Sequence, residues 1–115
     1  MIKYEFDNDI PIYVQIMNII KLEIVSNKIV PGQKLLSIRE ISEEFGVTPN
    51  TVQKSLMKLE EQGLIFTERT NGKFVTQDVE LIKTTRQKIA REKIDCFIKD
   101  MKEIGYDISE IKNLI

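Results

Sequence analysis

The 115-residue chain contains no histidine. That removes the commonest general base, proton shuttle and metal ligand. It contains one cysteine, Cys96. No intrachain disulfide can form, and a Cys/His zinc site cannot be assembled. A reducing cytosol suits such a chain, and a cytoplasmic protein is expected. Long apolar runs are missing too. Stretches such as residues 29–30, 35–36 and 64–66 fall far short of the ~20 residues that span a bilayer. The opening MIKYEFDND is acidic and has no apolar core of signal-peptide length. Nor is there an excess of either charge: Lys+Arg is 17 and Asp+Glu is 18, a net charge of −1. Bulk charge therefore announces no nucleic-acid partner, and any such partner must be argued from where the cations sit. These absences leave little for an enzyme, a cofactor or metal site, or a membrane protein.

What remains is the composition of a soluble, folded protein, 42% hydrophobic and 30% charged. The length fits one domain, or one small domain plus an appendage. Residues 1–9 read as a short tail. Asp9 and Pro11 then suggest a helix start, with a capping carboxylate and a proline in the first turn. Tyr13, Ile16, Ile20 and Ile24 form the stripe of an amphipathic helix over residues 11–27. Pro31-Gly32 ends it. Ser37 and Glu40 form a capping box and predict a helix over residues 38–45, with Ile41 and Phe45 inward. Gly46 supplies a left-handed stop. Thr48 as cap and Pro49 at the first position start another helix, with Val52, Leu56 and Leu59 on one face and Gly63 at its end. Two short helices around a glycine-containing turn have helix-turn-helix spacing.

A hairpin should follow. Residues 64–70 are rich in β-formers, Asn71-Gly72 predicts a type I′ turn, and residues 73–77 form the return strand. That order is a winged helix-turn-helix. From Val79 a long helix is expected, carrying Ile82, Ile89, Ile94, Phe97, Ile98, Met101 and Ile104 and ending at Gly105. Asp107 or Ser109 caps a last short helix. The 38-residue tail is too small to bury that stripe alone, and metals and disulfides are excluded. Packing against a second copy solves the problem. The expected fold is mainly α with a small β-hairpin: a winged helix-turn-helix domain over residues 1–77 and a helical dimerisation region over residues 78–115.

The face of the second short helix opposite Val52, Leu56 and Leu59 offers Thr48, Asn50, Thr51, Gln53, Lys54, Ser55 and Lys58. Residues 46–59 include two lysines and no acidic residue. Asn and Gln can pair with adenine, and Lys can contact guanine or phosphate. Ser and Thr donate to phosphate oxygens. A polar face is also what solvent alone requires. Arg39 sits at a helix N-terminus, where the dipole disfavours a cation. It reads as a surface charge or as a DNA contact beside Ser37. Arg69, Gly72 and Lys73 would give the hairpin a basic tip suited to backbone or minor groove. The pairs Glu43-Glu44 and Glu60-Glu61 read as solvated helix ends, without the pocket or partner base that catalysis needs. Cys96 reads as a buried small residue. Tyr4, Phe6, Phe66 and Phe74 read as core or strand residues rather than stacking platforms.

PIYVQI (11–16), PGQKLLSIREIS (31–42), FGVTPNTVQKSLMKLEEQGLI (45–65) and NGKFV (71–75) resemble the DNA-binding domain of the GntR family of bacterial transcription regulators. The short tail resembles the YtrA-type subfamily. The resemblance implies that Arg39 contacts phosphate and base. It puts Thr48, Asn50, Thr51 and Lys54 on the recognition helix, and Gly72 and Lys73 on a wing in the minor groove. Two positions depart from the family pattern. Leu36 stands where proline is common, which alters a turn. Pro49 stands where an arginine often reads guanine, which shifts the reading to Asn50, Thr51 or Lys54.

The combined expectation is a homodimeric repressor on a pseudo-palindromic operator of double-stranded DNA. The subfamily resemblance implies control of a transporter operon. A protein-docking winged helix is the alternative, and the acid-free face argues against it. A small-molecule effector would find little room within one tail, which leaves the dimer interface or the space between tail and winged helix.

Overall fold

The computed structural model describes residues 5–115, so Tyr4 lies outside the described residues. Five helices and one hairpin follow in the order α1 (Ile12–Val25), α2 (Ile38–Phe45), α3 (Pro49–Glu61), β1 (Ile65–Glu68), β2 (Gly72–Val75), α4 (Val79–Glu103) and α5 (Ile108–Leu114). Two compact units divide inside α4, one ending at Ile82 and the other running Lys83–Ile115.

In the first unit the apolar stripe of α1 buries Ile16, Ile20 and Ile24, and α3 buries Val52, Leu56 and Leu59. α1 and α2 both pack on α3, and α3 continues onto β1. Each fully buried Ile or Leu contributes about 1.5–3 kcal/mol of apolar transfer energy. The core is therefore centred on α3, whose outer face stays free.

Local chemistry sets the helix ends. Ser37 Oγ accepts the Glu40 N–H at 3.1 Å, and Glu40 Oε1 accepts the Ser37 N–H at 2.9 Å, so the expected capping box is present. Gly46 closes α2 in the left-handed region at φ +69°. Asp107, not Ser109, caps α5 through a second capping box with Glu110. The Ser37 hydrogen bonds hold the Glu40 carboxyl below its usual range. A carboxylate held low stabilises the fold above its unfolded pKa and loses that effect as pH falls through its folded value. Ser37→Ala is expected to destabilise the domain by about 1 kcal/mol at pH 7. The Ser37 backbone N–H, the larger cause of the lowered carboxyl, survives this substitution, so thermal melts should show most of the deficit persisting below the carboxylate range.

Four local expectations need correction. Asp9 does not cap α1. Pro11 occupies the N-cap in an extended conformation, and the Asp9 N–H is bound to Asp7 Oδ1. Gln15 ties the incoming segment instead, accepting the Asp7 N–H and donating to the Asp7 and Ile10 carbonyls. Thr48 occupies the N-cap of α3 without capping it, because its hydroxyl pairs with that of Thr51 at 2.9 Å. The hairpin does not use a two-residue type I′ turn. Glu68 pairs with Gly72 around residues 69–71, and the positive φ falls on Gly72 at +101° but not on Asn71. A type I′ turn needs positive φ at both central residues. Finally, Cys96 is exposed. It lies on α4, where Ile82 is the buried residue.

The hairpin has a third arm with no sequence signal. Leu35 donates to the Lys73 carbonyl, and Val75 donates to the Gln33 carbonyl. Phe66 and Phe74 stack across the hairpin with centroids 5.7 Å apart. Phe6 packs its ring against Phe45. In the second unit Ile111 is buried. No helix among the described residues is long and apolar enough to cross a membrane.

Candidate nucleic-acid interface

Helical geometry divides the sides of α3. Positions 52, 55, 56 and 59 share the inward stripe, and Asn50, Gln53 and Lys54 are left exposed. Ser55 therefore does not belong to the outer face where its polarity had placed it. It is fully buried, with Oγ 2.7 Å from the Tyr13 carbonyl and 3.1 Å from that of Thr51. Its short hydroxyl satisfies backbone acceptors instead of reaching solvent. Thr51 is half-buried, and Thr48 is exposed beside it.

A groove brings the next set together. It is lined by Lys34, Ser37 and Arg39 on one side and by Arg69, Gly72 and Lys73 on the other. The third arm makes this juxtaposition, since it runs hydrogen-bonded beside β2 and leads directly into the α2 N-cap. The Arg39 side chain is 87% exposed, and its Nε donates to Glu43 Oε1 at 3.3 Å. A solvated i,i+4 pair is worth at most about 1 kcal/mol, so a phosphate can displace it. Lys73 is more constrained. Its ammonium donates to Thr67 Oγ1 at 2.7 Å and lies 3.8 Å from Glu60 Oε1, and Thr67 in turn donates to Glu60. Lys58 lies in the last turn of α3, 3.4 Å from Glu61. Neither Lys58 nor the outer α3 residues Asn50 and Lys54 line the groove.

Two residues escaped the sequence reading. Lys34 carries no assigned role within the 31–42 stretch, yet its side chain passes so close to Gly72 that a β-carbon there would sit 3.3 Å from Lys34 Cε. Tyr13 reads as core, but it is half-buried and its ring lies beneath Lys54, with Nζ 4.2 Å from the ring centroid. No periodicity in the sequence reports a contact between residues 41 positions apart.

Behind this surface, Ile20, Ile41 and Phe45 line a cleft of about 190 Å³ together with Glu23 and Glu44. That is small beside the ~300–1,000 Å³ of ordinary ligand sites. Partial burial pushes the Glu23 carboxyl up, Glu44 adds to the rise, and Lys28 opposes it. A raised carboxyl favours the fold fully below its unfolded pKa, and the benefit is lost as pH rises through its folded pKa. Glu23→Gln should therefore melt higher than the parent at pH 7, by less than about 1 kcal/mol because solvent still screens the site. The difference should vanish in melts below pH 4.

A helix-turn-helix followed by a hairpin wing, with a second helix whose outward face carries no acidic residue before Glu60, defines the winged helix class of DNA-binding regulator. Residues 12–75 match the bacterial regulatory protein family gntR. The chain belongs to that family, whose members are regulators and not enzymes. It is 35% identical over 107 residues to the uncharacterized HTH-type transcriptional regulator YhcF of Bacillus subtilis, covering 93% of this chain and 88% of that one. It is 29% identical to the HTH-type transcriptional repressor YtrA of the same organism, covering 100% of this chain and 89% of that one. Among solved structures, a GntR family transcriptional regulator from Listeria monocytogenes superposes with a TM-score of 0.89 at 37% identity, over 95% of this chain and 96% of that one. The AraR DNA-binding domain in complex with operator ORE1 matches 66% of this chain and 95% of that one, with a TM-score of 0.57 and 29% identity.

Proposed function

We propose that the chain is a sequence-specific repressor that binds double-stranded operator DNA as a homodimer. The observation that carries this reading is the free outer face of α3, with exposed Asn50, Gln53 and Lys54, in a domain whose groove gathers Ser37, Arg39, Arg69 and Gly72. α3 enters the major groove, where Asn50 and Gln53 read base edges. Arg39 and Ser37 hold the backbone beside it, and the wing reaches the flanking minor groove with Arg69 and Gly72. Lys58 and Lys73 add charge from within local ion pairs. Repression follows from occupying DNA that polymerase needs. The name of YtrA and the operator complex of AraR support the reading.

Residues 1–77 carry the DNA surface, and residues 78–115 pair with a second copy. In the single chain Ile94, Phe97 and Ile104 are 47%, 44% and 68% exposed, and Ile89, Ile98 and Met101 are half-buried. An apolar stripe left this open needs a partner surface. A twofold pairing of identical tails implies a pseudo-palindromic site with half-sites about one helical turn (~10 bp) or more apart. A small-molecule effector would act by changing the separation of the two recognition helices.

The test is a mobility-shift series on duplex DNA with Arg39→Ala and a salt titration. Arg39→Ala should weaken binding roughly tenfold without changing the melting temperature. Affinity of the parent should fall steeply with salt. Salt-independent binding would favour protein docking instead. An unchanged shift for Arg39→Ala would remove the α2 end from the interface.

A further inference from the structure

Lys54 is the exposed cation of α3, yet it does not extend freely. Its ammonium sits 4.2 Å from the centroid of the Tyr13 ring, within the ~6 Å range of a cation–π contact. Tyr13 is the second residue of α1, so the charge is drawn from the exposed face of one helix to the first turn of another. The platform beneath it is fixed. The buried Ser55 hydroxyl holds the Tyr13 carbonyl at 2.7 Å, and the neighbouring α1 and α3 stripes pack together. Tyr13 is thus tied to α3 twice, by its carbonyl to Ser55 and by its ring to Lys54. The ring covers one side of the ammonium, and Lys54 as a whole remains exposed.

A free lysine has four rotatable side-chain bonds and loses rotamer entropy on contact with DNA. Here the ring has already restricted them. It also places the charge on the side of α3 that meets the first turn of α1. Base edges are reached by side chains that project freely into the groove, and phosphates by those at its rim.

We propose that Tyr13 is a positioning residue that presets Lys54 as a phosphate contact, so that base reading falls to Asn50 and Gln53. The inference rests on the DNA-binding reading above. Lys54→Ala then weakens binding to operator and to scrambled duplex by the same factor, and lowers the salt slope by about one phosphate. Tyr13→Leu, which removes the ring, weakens binding to both about two- to fivefold. Tyr13→Phe keeps the ring face and stays within twofold of the parent.

The deciding experiment is a double-mutant cycle on the full chain, read by DNA affinity, with the Lys54 side-chain proton shifts of the free protein as a second readout. The expected result has three parts. Tyr13→Leu adds nothing in the Lys54→Ala background. The ring-current shift of Lys54 is present in the parent and in Tyr13→Phe. It is lost in Tyr13→Leu. If Tyr13→Leu still weakens binding in the Lys54→Ala background, Tyr13 is merely structural and the proposal is overturned. Tighter binding by Tyr13→Leu would overturn it too, since the ring would then be withholding the charge. So would a changed operator-to-scrambled ratio for Lys54→Ala. Failure of the parent to bind any duplex, with the ring-current shift intact, overturns the DNA-binding reading and the phosphate role with it. Absence of the shift in a parent that binds DNA overturns the role of Tyr13 alone.

Discussion

Phe97→Asp is expected to convert the proposed homodimer to a monomer and to lower operator affinity by roughly 100-fold or more. The aspartate would place a charge in the middle of the α4 stripe, between Ile94 and Met101, where the partner copy would have to bury it unpaired. Phe97 is 44% exposed in the single chain, so the substitution costs the monomer's own fold little. The affinity loss comes from valence. Two linked DNA-binding units gain 10²–10⁴ over one, and a monomer forfeits that gain. Light scattering measures the mass, circular dichroism confirms that the helices persist, and mobility shifts give the affinity. A dimer that survives with unchanged DNA binding would place the twofold contact elsewhere.

Leu56→Ala acts at the other end of the causal chain. Leu56 is 1% exposed on the inward stripe of α3, the helix on which α1, α2 and β1 converge. Truncating a leucine buried this fully costs about 2–5 kcal/mol, the removed methyl groups plus the cavity they leave. Small domains have only about 5–15 kcal/mol in total. The melting temperature should fall by roughly 10 °C or more. DNA affinity should fall with the folded fraction and recover on cooling. A loss below about 1 kcal/mol in a denaturant titration would mean that α3 does not rest on this core.

The features legible in the sequence were those written in local chemistry. The Ser37–Glu40 box, the left-handed Gly46, Pro49 at the head of α3 and the stripes at Ile16–Ile20–Ile24 and Val52–Leu56–Leu59 act within one or two turns. Spacing alone reveals such features. The misread features depend on chain that is distant in sequence. Ser55 looks like a surface serine until α1 brings the Tyr13 carbonyl to it across 42 positions. Residues 33–35 have no strand signature, and only β2 supplies their hydrogen-bond partners. Asn71-Gly72 carries the hairpin dipeptide, but the pairing of Glu68 with Gly72 leaves a three-residue loop at 69–71 and puts Gly72 in the strand. The candidate interface divides the same way. Asn50 and Lys54 follow from helical periodicity, whereas the contact of Lys73 with Thr67 and the approach of Lys34 to Gly72 follow from the closed hairpin.

The measurement closest to the central claim is footprinting on a fragment that the purified protein selects from its host genome. Two protected major-groove segments should appear, related by an inverted repeat and separated by about one turn (~10 bp) or more, and Asn50→Ala should erase both. Enrichment of no duplex sequence, or a single footprint that Asn50→Ala leaves intact, would contradict the account.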